Sequence, residues 1–346
     1  HFTLTPDELY AINPNTGTCP TFRSKQDAEL TKKLHKSTPV LVNQAEGEND
    51  WGVRYSQGLF HSSSDSNLFV DAKKLRDRFD VPSVGKERFY AGISALYEGK
   101  HFHQYDHRYA GLKSDDREPL ATSEKENARL LIDSKYFVTN ADLDKAVPDD
   151  WERKWFIGFR DIARTTDSRT AIFTVLPYIG VSDQAGLFTF EDLFRTTPLA
   201  VHVAALVSNV NSYVFDFTSR QKISGAHLKK YVAYQLPVHP PERYTPELLA
   251  YIVPRVLELT YTAWDLAAFA DDVWSESSAA LQNAIEAQWK NNIKATDGGH
   301  RGAQPPEWVE HSEQAAEHFP HEPFMWDEER RAHLRAELDG LYGHLY

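Results

Sequence analysis

The chain has 346 residues, of which 41% are hydrophobic and 25% are charged, and its formal net charge at pH 7 is -12. This average composition excludes collagen-like, coiled-coil and fully disordered chains, and the length predicts two or three domains. The longest uncharged apolar stretches, residues 171–182 and 196–209, are shorter than the roughly 18 apolar residues that a membrane helix needs. We therefore expect no membrane span.

The negative charge is concentrated in the last third of the chain. Residues 1–240 hold 30 Lys and Arg against 31 Asp and Glu, whereas residues 241–346 hold 8 against 19. A balanced body can carry a local basic face, because electrostatic steering depends on patches of charge and not on the total. The net charge therefore does not exclude a nucleic-acid partner.

The chain contains one cysteine, Cys19, which cannot form an internal disulfide or a Cys-based zinc site. This cysteine usage favours a reducing, cytoplasmic environment. The first residues, HFTLTPDELY, include no initiator methionine and no signal sequence. We interpret the chain as a piece of a longer protein.

In chain order, residues 1–90 predict an irregular α/β segment. The aromatic residues between 88 and 108 predict a strand and turn, the β-branched residues within 151–181 a buried strand pair, and residues 199–217 a helix. The pattern changes near residue 240. The sequence thus predicts three segments, 1–90, 91–240 and 241–346.

The third segment begins with a helix signal. Thr245, Pro246 and Glu247 supply a hydroxyl N-cap, a proline at the first helical position and an acidic first turn. Pro254 is expected to kink that helix or end it. Residues 327–345 predict a second, amphipathic helix. The expected fold class is mixed α/β (α+β): a twisted sheet with flanking helices, followed by an acidic, mainly helical subdomain.

The first candidate site lies in residues 101–107. His101, His103, Asp106 and His107 combine imidazole and carboxylate groups, which are ligands for Zn or Mn in a nuclease-like site. The same side chains also suit polar DNA contacts or hydrogen-bonded structural histidines. The sequence leaves these three interpretations open.

Two further groups are basic. Arg160, Arg164 and Arg169 occur among aspartates, and they suit either internal salt bridges or contacts to phosphate and guanine edges. Arg220, Lys222, His227, Lys229 and Lys230 form the second group, which suits either a phosphate clamp or a solvated helix start.

Five blocks of the sequence together resemble the C-terminal half of large adenine-specific DNA methyltransferases. They are NPNTGTCPTFRSKQDAELTKKLHKSTPVL, YEGKHFHQYDHRYA, WFIGFRDIARTTDSRT, NSYVFDFTSRQKISGAHLKKYVAYQLPVHPP and FMWDEERRAHLRAELDGLYGHLY. These enzymes are of the restriction-modification and phage-defence type related to the TaqI methylase specificity domain. In that family an N-terminal domain binds S-adenosylmethionine and methylates adenine on N-6, and the C-terminal region recognises the target sequence.

The resemblance implies that residues 91–240 are a DNA target-recognition region, which begins near Glu98, Gly99 and Lys100. The polar-Pro-Pro-aromatic catalytic loop of the family has no counterpart in this sequence. The resemblance therefore implies a chain without catalytic residues, metal or cofactor, and a parent protein that binds S-adenosylmethionine. The implied partners are double-stranded DNA and the N-terminal catalytic domain of the parent chain.

Recognition requires basic groups for phosphates and polar groups for base edges. The side chains that we expect to contact DNA are Lys100, His103, Arg108, Arg160, Arg164, Arg169, Arg220, Lys222 and His227. Two other functions compete with this prediction. One is a metal-dependent nuclease at residues 101–107, and the other is a protein-interaction module of a defence complex.

Overall fold

The chain has a mixed α/β fold in a computed structural model, which confirms the predicted fold class. The structure describes residues 3–113, 116–162, 164–191, 199–223, 225–298 and 304–346. The α-helices in these ranges are α1 (Pro6–Ile12), α2 (Lys25–Ser37), α3 (Ala72–Phe79), α4 (Glu87–Tyr90), α5 (Thr122–Lys125), α6 (Asn140–Ala146), α7 (Leu199–Val210), α8 (Tyr213–Lys222), α9 (Lys230–Ala233), α10 (Pro246–Thr260), α11 (Ala267–Glu276), α12 (Ala279–Ala295) and α13 (Glu328–Leu345). The β-strands are β1 (Val53–Ser56), β2 (Val70–Asp71), β3 (Ile93–Tyr97), β4 (Ala110–Lys113), β5 (Asp116–Pro119), β6 (Tyr136–Thr139), β7 (Trp155–Arg160), β8 (Phe173–Pro177), β9 (Gly180–Val181) and β10 (Ala185–Phe190).

Four antiparallel strands form the first sheet, in the order β1-β10-β7-β8. The three strands β7, β8 and β10 are rich in aromatic and β-branched residues, and nearly all of their side chains are buried. Two glycines make room for large neighbours. A Cβ at Gly158 would lie 2.3 Å from Leu176 Cδ1, and a Cβ at Gly186 would lie 2.2 Å from the Phe159 ring. The sheet is therefore tightly packed around aromatic rings.

The second sheet has the strand order β2-β6-β3-β9, with β3 and β9 parallel and the other pairs antiparallel. Strands β4 and β5 form a separate antiparallel pair. Residues 1–90 supply β1 to the first sheet and β2 to the second. The largest hydrophobic core runs from Leu41 to Tyr342 and takes side chains from all three predicted segments. The three segments thus share their packing.

The helical C-terminal segment begins as predicted. The Thr245 hydroxyl accepts a hydrogen bond from the backbone N–H of Leu248 at 3.4 Å, and Pro246 stands in the first turn. The helix continues through Pro254, so this proline does not end it. Helix α13 packs on α8 and α10 and buries Leu334 and Leu338. Among the described helices, none is both long and apolar enough to cross a membrane.

Candidate nucleic-acid interface

The candidate interface is centred on residues 161–170, which we call the arginine loop and which lead from β7 towards β8. At its start, the buried carboxylate of Asp161 accepts a hydrogen bond from Lys229 Nζ at 2.7 Å. His227 Nδ1 lies 3.2 Å from the same carboxylate oxygen. The backbone N–H of Leu228 donates to the Asp161 carbonyl at 2.7 Å. These contacts fasten residues 227–229 to the loop.

The other end of the arginine loop is held by α8. Asp216 Oδ1 accepts hydrogen bonds from the backbone N–H groups of Thr170 and Ala171 at 2.7 and 2.8 Å. Arg220 Nε donates to Asp216 Oδ2 at 2.8 Å. The other guanidinium nitrogens of Arg220 donate to three loop carbonyls at 2.9 Å each, those of Thr165, Asp167 and Ser168. Arg220 therefore sets the path of the loop.

Arg160 and Arg169 also donate to carbonyls of the protein itself. Arg160 Nε donates to the Phe102 carbonyl at 2.8 Å. Arg169 donates to the Asn211 carbonyl, and its Nε lies 4.0 Å from Asp216 Oδ1. Both side chains remain partly exposed. The structure thus gives both arginines internal carbonyl partners, and Arg169 also lies near a carboxylate, as the prediction of internal salt bridges allowed.

Three of the predicted DNA contacts are exposed: Lys100, Arg164 and His227. The residue before Lys100, Gly99, lies close to Arg160 at the end of β7, because a Cβ on Gly99 would lie 3.6 Å from Arg160 Cγ. Within the described ranges, the side chains of Lys100 and Arg164 have no hydrogen-bond or ion-pair partner. Since Lys and Arg are the usual ligands of phosphate oxygens, these two are the accessible donors of the interface.

Two predicted contacts, Arg108 and Lys222, bond through their cationic groups to carbonyls of the protein itself, and the predictions for them are corrected. The Arg108 side chain is buried, and its guanidinium donates at 2.9–3.1 Å to four carbonyls, those of Lys125, Asn127, Leu130 and Thr262. Lys222 Nζ donates to the carbonyl of Ile12 at 2.6 Å and to that of Gln235, and burial lowers the pKa of this amine. A cation whose donors are used by buried carbonyls cannot reach a phosphate without opening the fold.

Residues 101–108, which we call the histidine segment, run through the core. His101 Nδ1 accepts a hydrogen bond from the backbone N–H of Glu98 at 2.8 Å. The Asp106 carboxylate accepts a hydrogen bond from Lys125 Nζ at 2.5 Å, and both side chains are buried. Lys125 thus neutralises the charge of Asp106.

The other two histidines of the segment have separate surroundings. His107 Nε2 lies 2.8 Å from Asp265 Oδ1, whereas the His103 ring packs 4.9 Å from the Tyr109 ring. Burial lowers the pKa of His103 to about 4 and that of His101 to about 3. Among the described residues, the group of at least three metal-ligating side chains whose ligand atoms lie within 4.8 Å of one another is in the C-terminal segment and includes none of residues 101–107. The geometry gives no support to a metal at residues 101–107.

Asp216 is the functional residue that the sequence analysis missed. It stands four residues before Arg220 on α8, a spacing at which opposite charges meet on a helix. That spacing was the available signal. It identifies Asp216 as a positioning residue, because this carboxylate orients Arg220 and ties down the end of the arginine loop.

Comparison with known proteins adds no family assignment. No protein-family model and no curated protein matches this chain. The braced loop and the exposed donors around it are therefore the observations from which a function is proposed.

Proposed function

We propose that this chain recognises duplex DNA sequence-specifically, as the target-recognition region of an adenine-specific (N-6) DNA methyltransferase or a fused restriction-modification enzyme. The observation that carries the proposal is the arginine loop, which is held at both ends and bordered by the exposed side chains of Lys100, Arg164 and His227. The sequence resemblance supports the same function.

The side chains of the interface have different tasks in this proposal. Lys100 and Arg164 bind phosphate oxygens and set the register of the loop on the duplex. His227 offers its imidazole to base edges. Arg220 keeps the loop in one conformation, which reduces the conformational entropy that is lost on binding.

The contribution of this chain to methylation is indirect. A methyltransferase must rotate its adenine out of the base stack, which costs a few kcal/mol. Contacts made by the recognition region to the rest of the site offset that cost. We propose that S-adenosylmethionine and the catalytic residues belong to the N-terminal catalytic domain of the parent, and that the parent acts on DNA in the cytoplasm.

The test is the binding of the chain to a random-sequence DNA duplex, measured by fluorescence anisotropy at about 50 and about 200 mM salt. We expect the affinity to fall steeply with salt, because phosphate binding releases counterions. The double variant Lys100→Glu, Arg164→Glu should bind more weakly. The slope of log K against log salt, which is negative, should become shallower by roughly 1.8, about 0.9 for each phosphate contact that is lost.

The matched control is Lys290→Glu, Lys294→Glu, which changes the net charge equally but lies on α12 of the acidic subdomain. We expect this control to keep most of the native affinity. Equal losses in the two double variants would contradict the assignment of the interface to the arginine loop. Absence of binding by the native chain at low salt would contradict DNA binding by the chain alone and favour the protein-interaction module.

A further inference from the structure

Three metal-ligating side chains of the C-terminal segment converge. Asp271 lies on α11, and His311 and His318 come from the irregular stretch 304–327. One ligand atom of each lies within 4.8 Å of the ligand atoms of the other two. Asp271 is buried, His311 is partly buried and His318 is exposed, so the group opens to solvent on one side.

The Asp271 carboxylate is held in a fixed orientation. Its Oδ1 accepts a hydrogen bond from the backbone N–H of Phe319 at 2.8 Å, and its Oδ2 accepts one from the N–H of Ser312 at 3.1 Å. His311 Nδ1 lies 2.7 Å from the same Oδ2. The Asp271 carboxylate and the His311 imidazole are thus already adjacent.

The two histidine rings lie side by side. Their centroids are 4.2 Å apart and the angle between their planes is 11°. Two imidazole side chains, seven residues apart in the sequence, are thus brought to the same edge of a buried carboxylate. The backbone bonds to Asp271 fix the main chain directly after each histidine, at Ser312 and Phe319.

We propose that Asp271, His311 and His318 bind one Zn²⁺ ion. Two imidazole nitrogens and one carboxylate oxygen are a known zinc ligand set, with bonds of about 2.0–2.2 Å and a water in the fourth position. Tetrahedral ligand atoms at such bond lengths are roughly 3.4 Å apart, whereas the atoms of this group lie within 4.8 Å of one another, with 2.7 Å between Asp271 Oδ2 and His311 Nδ1. Binding the ion therefore needs a small adjustment of the spacing within the group. Rotation of the exposed His318 side chain supplies this movement without disturbing the core.

Bound zinc ties the 311–318 stretch to α11. The described residues between 304 and 327 form no helix or strand, and they are held to the helical subdomain through side chains such as Asp271. An ion that joins two points of this stretch to a helix restricts it further. A ligand that binds only the folded chain also raises the thermal midpoint of unfolding.

The test uses the full chain, stripped with EDTA and titrated with ZnCl₂ by isothermal titration calorimetry, with bound zinc counted by elemental analysis after dialysis. We expect one Zn²⁺ per chain and a higher thermal midpoint with zinc. His318→Ala should lower the zinc affinity at least about tenfold. The matched control is His333→Ala, which removes an exposed histidine on α13 and should keep the native affinity.

A native chain that binds no zinc would overturn the proposal, and so would His318→Ala with native affinity and stoichiometry. An equal loss in His333→Ala would also overturn it, because zinc would then bind surface histidines in general. Circular dichroism and thermal unfolding in EDTA must match the native chain for each variant. His318→Gln, which keeps a polar side chain of similar length, provides a second variant with the same expected loss.

Discussion

The histidine segment and the arginine loop are both rich in basic side chains, yet they lie in opposite environments. In the histidine segment, His101, Asp106, His107 and Arg108 are buried. In the arginine loop, Arg164 and residues 166–168 are exposed. Both stretches were predicted to contact DNA, and only the second presents accessible donors to a ligand.

The difference between the two regions follows from the acceptors that each cation finds. A buried charge without partners costs several kcal/mol, so Arg108 and Lys125 are surrounded by carbonyls and a carboxylate. At the arginine loop, Arg220 of α8 donates to the loop carbonyls, while Arg164 of the loop faces solvent. A density of basic residues in the sequence therefore does not locate a binding surface.

The strongest test of this contrast is Arg108→Ala. The change leaves four carbonyls without their donor, those of Lys125 and Thr262 being buried, and it removes a buried guanidinium, so we expect it to lower the free energy of unfolding by about 3–5 kcal/mol. Urea unfolding at equilibrium measures this loss. A loss below about 1 kcal/mol would show that water replaces the guanidinium, and the buried character of this segment would be in doubt.

The pH dependence of stability provides the second test. Burial lowers the pKa of His101 to about 3 from an ordinary 6.5, so between these values the unfolded chain binds a proton that the folded chain does not. The stability is therefore complete above pH 6.5 and is lost as the pH falls. We expect His101→Phe to reduce the stability difference between pH 7 and pH 5 by about 2 kcal/mol. Urea unfolding at the two pH values checks this, and an unchanged difference would argue against burial of the imidazole.

Arg220→Ala tests the bracing of the arginine loop. We expect a loss of about 1–2 kcal/mol in unfolding free energy, because the side chain is partly exposed. Hydrogen exchange of the Thr170 and Ala171 amides should become faster. The control is Arg255→Ala, which removes the contact of Arg255 with Glu337 at 2.8 Å and should leave those amides unchanged. Native exchange rates in Arg220→Ala would refute the bracing role.

Arg164→Ala should have the smallest effect on stability, within about 0.5 kcal/mol, because the side chain is exposed. Its effect should appear in DNA binding, which should weaken for all sequences alike. The negative slope of log K against log salt should become shallower by about 0.9. Thermal unfolding and anisotropy titrations measure the two quantities. A large loss of stability with unchanged DNA affinity would show that Arg164 is a structural residue and not a DNA contact.

Much of the fold could be predicted because it depends on neighbouring residues. The N-cap at Thr245 needs only a hydroxyl and the next turn of backbone, and the structure confirms it. The pattern of residues 327–345 correctly predicted a helix, α13, and on it Leu334 and Leu338 are buried, whereas Leu341 and Leu345 are partly exposed. Pro254 did not end α10, since the surrounding side chains are buried and their packing stabilises the helix around the proline.

The candidate site was only partly predictable. Arg160, Arg164 and Arg169 belong to one stretch of sequence, so their proximity followed from the chain itself. The bonding of the Lys222 amine did not, because its acceptors are the carbonyls of Ile12 and Gln235, which the sequence separates from it by 210 and 13 residues.

The sequence by itself determined the mixed α/β class, the helix start at Thr245 and the concentration of acidic residues in 241–346. Composition, helix caps and hydrophobic periodicity can be recognised from the sequence without knowledge of the tertiary contacts. The tertiary structure alone decided which cations are internal and which face solvent. Arg108 is internal because the fold brings the carbonyls of residues 125–130 and of Thr262 around it, whereas the fold brings no such acceptors to Arg164 among the residues that the structure describes.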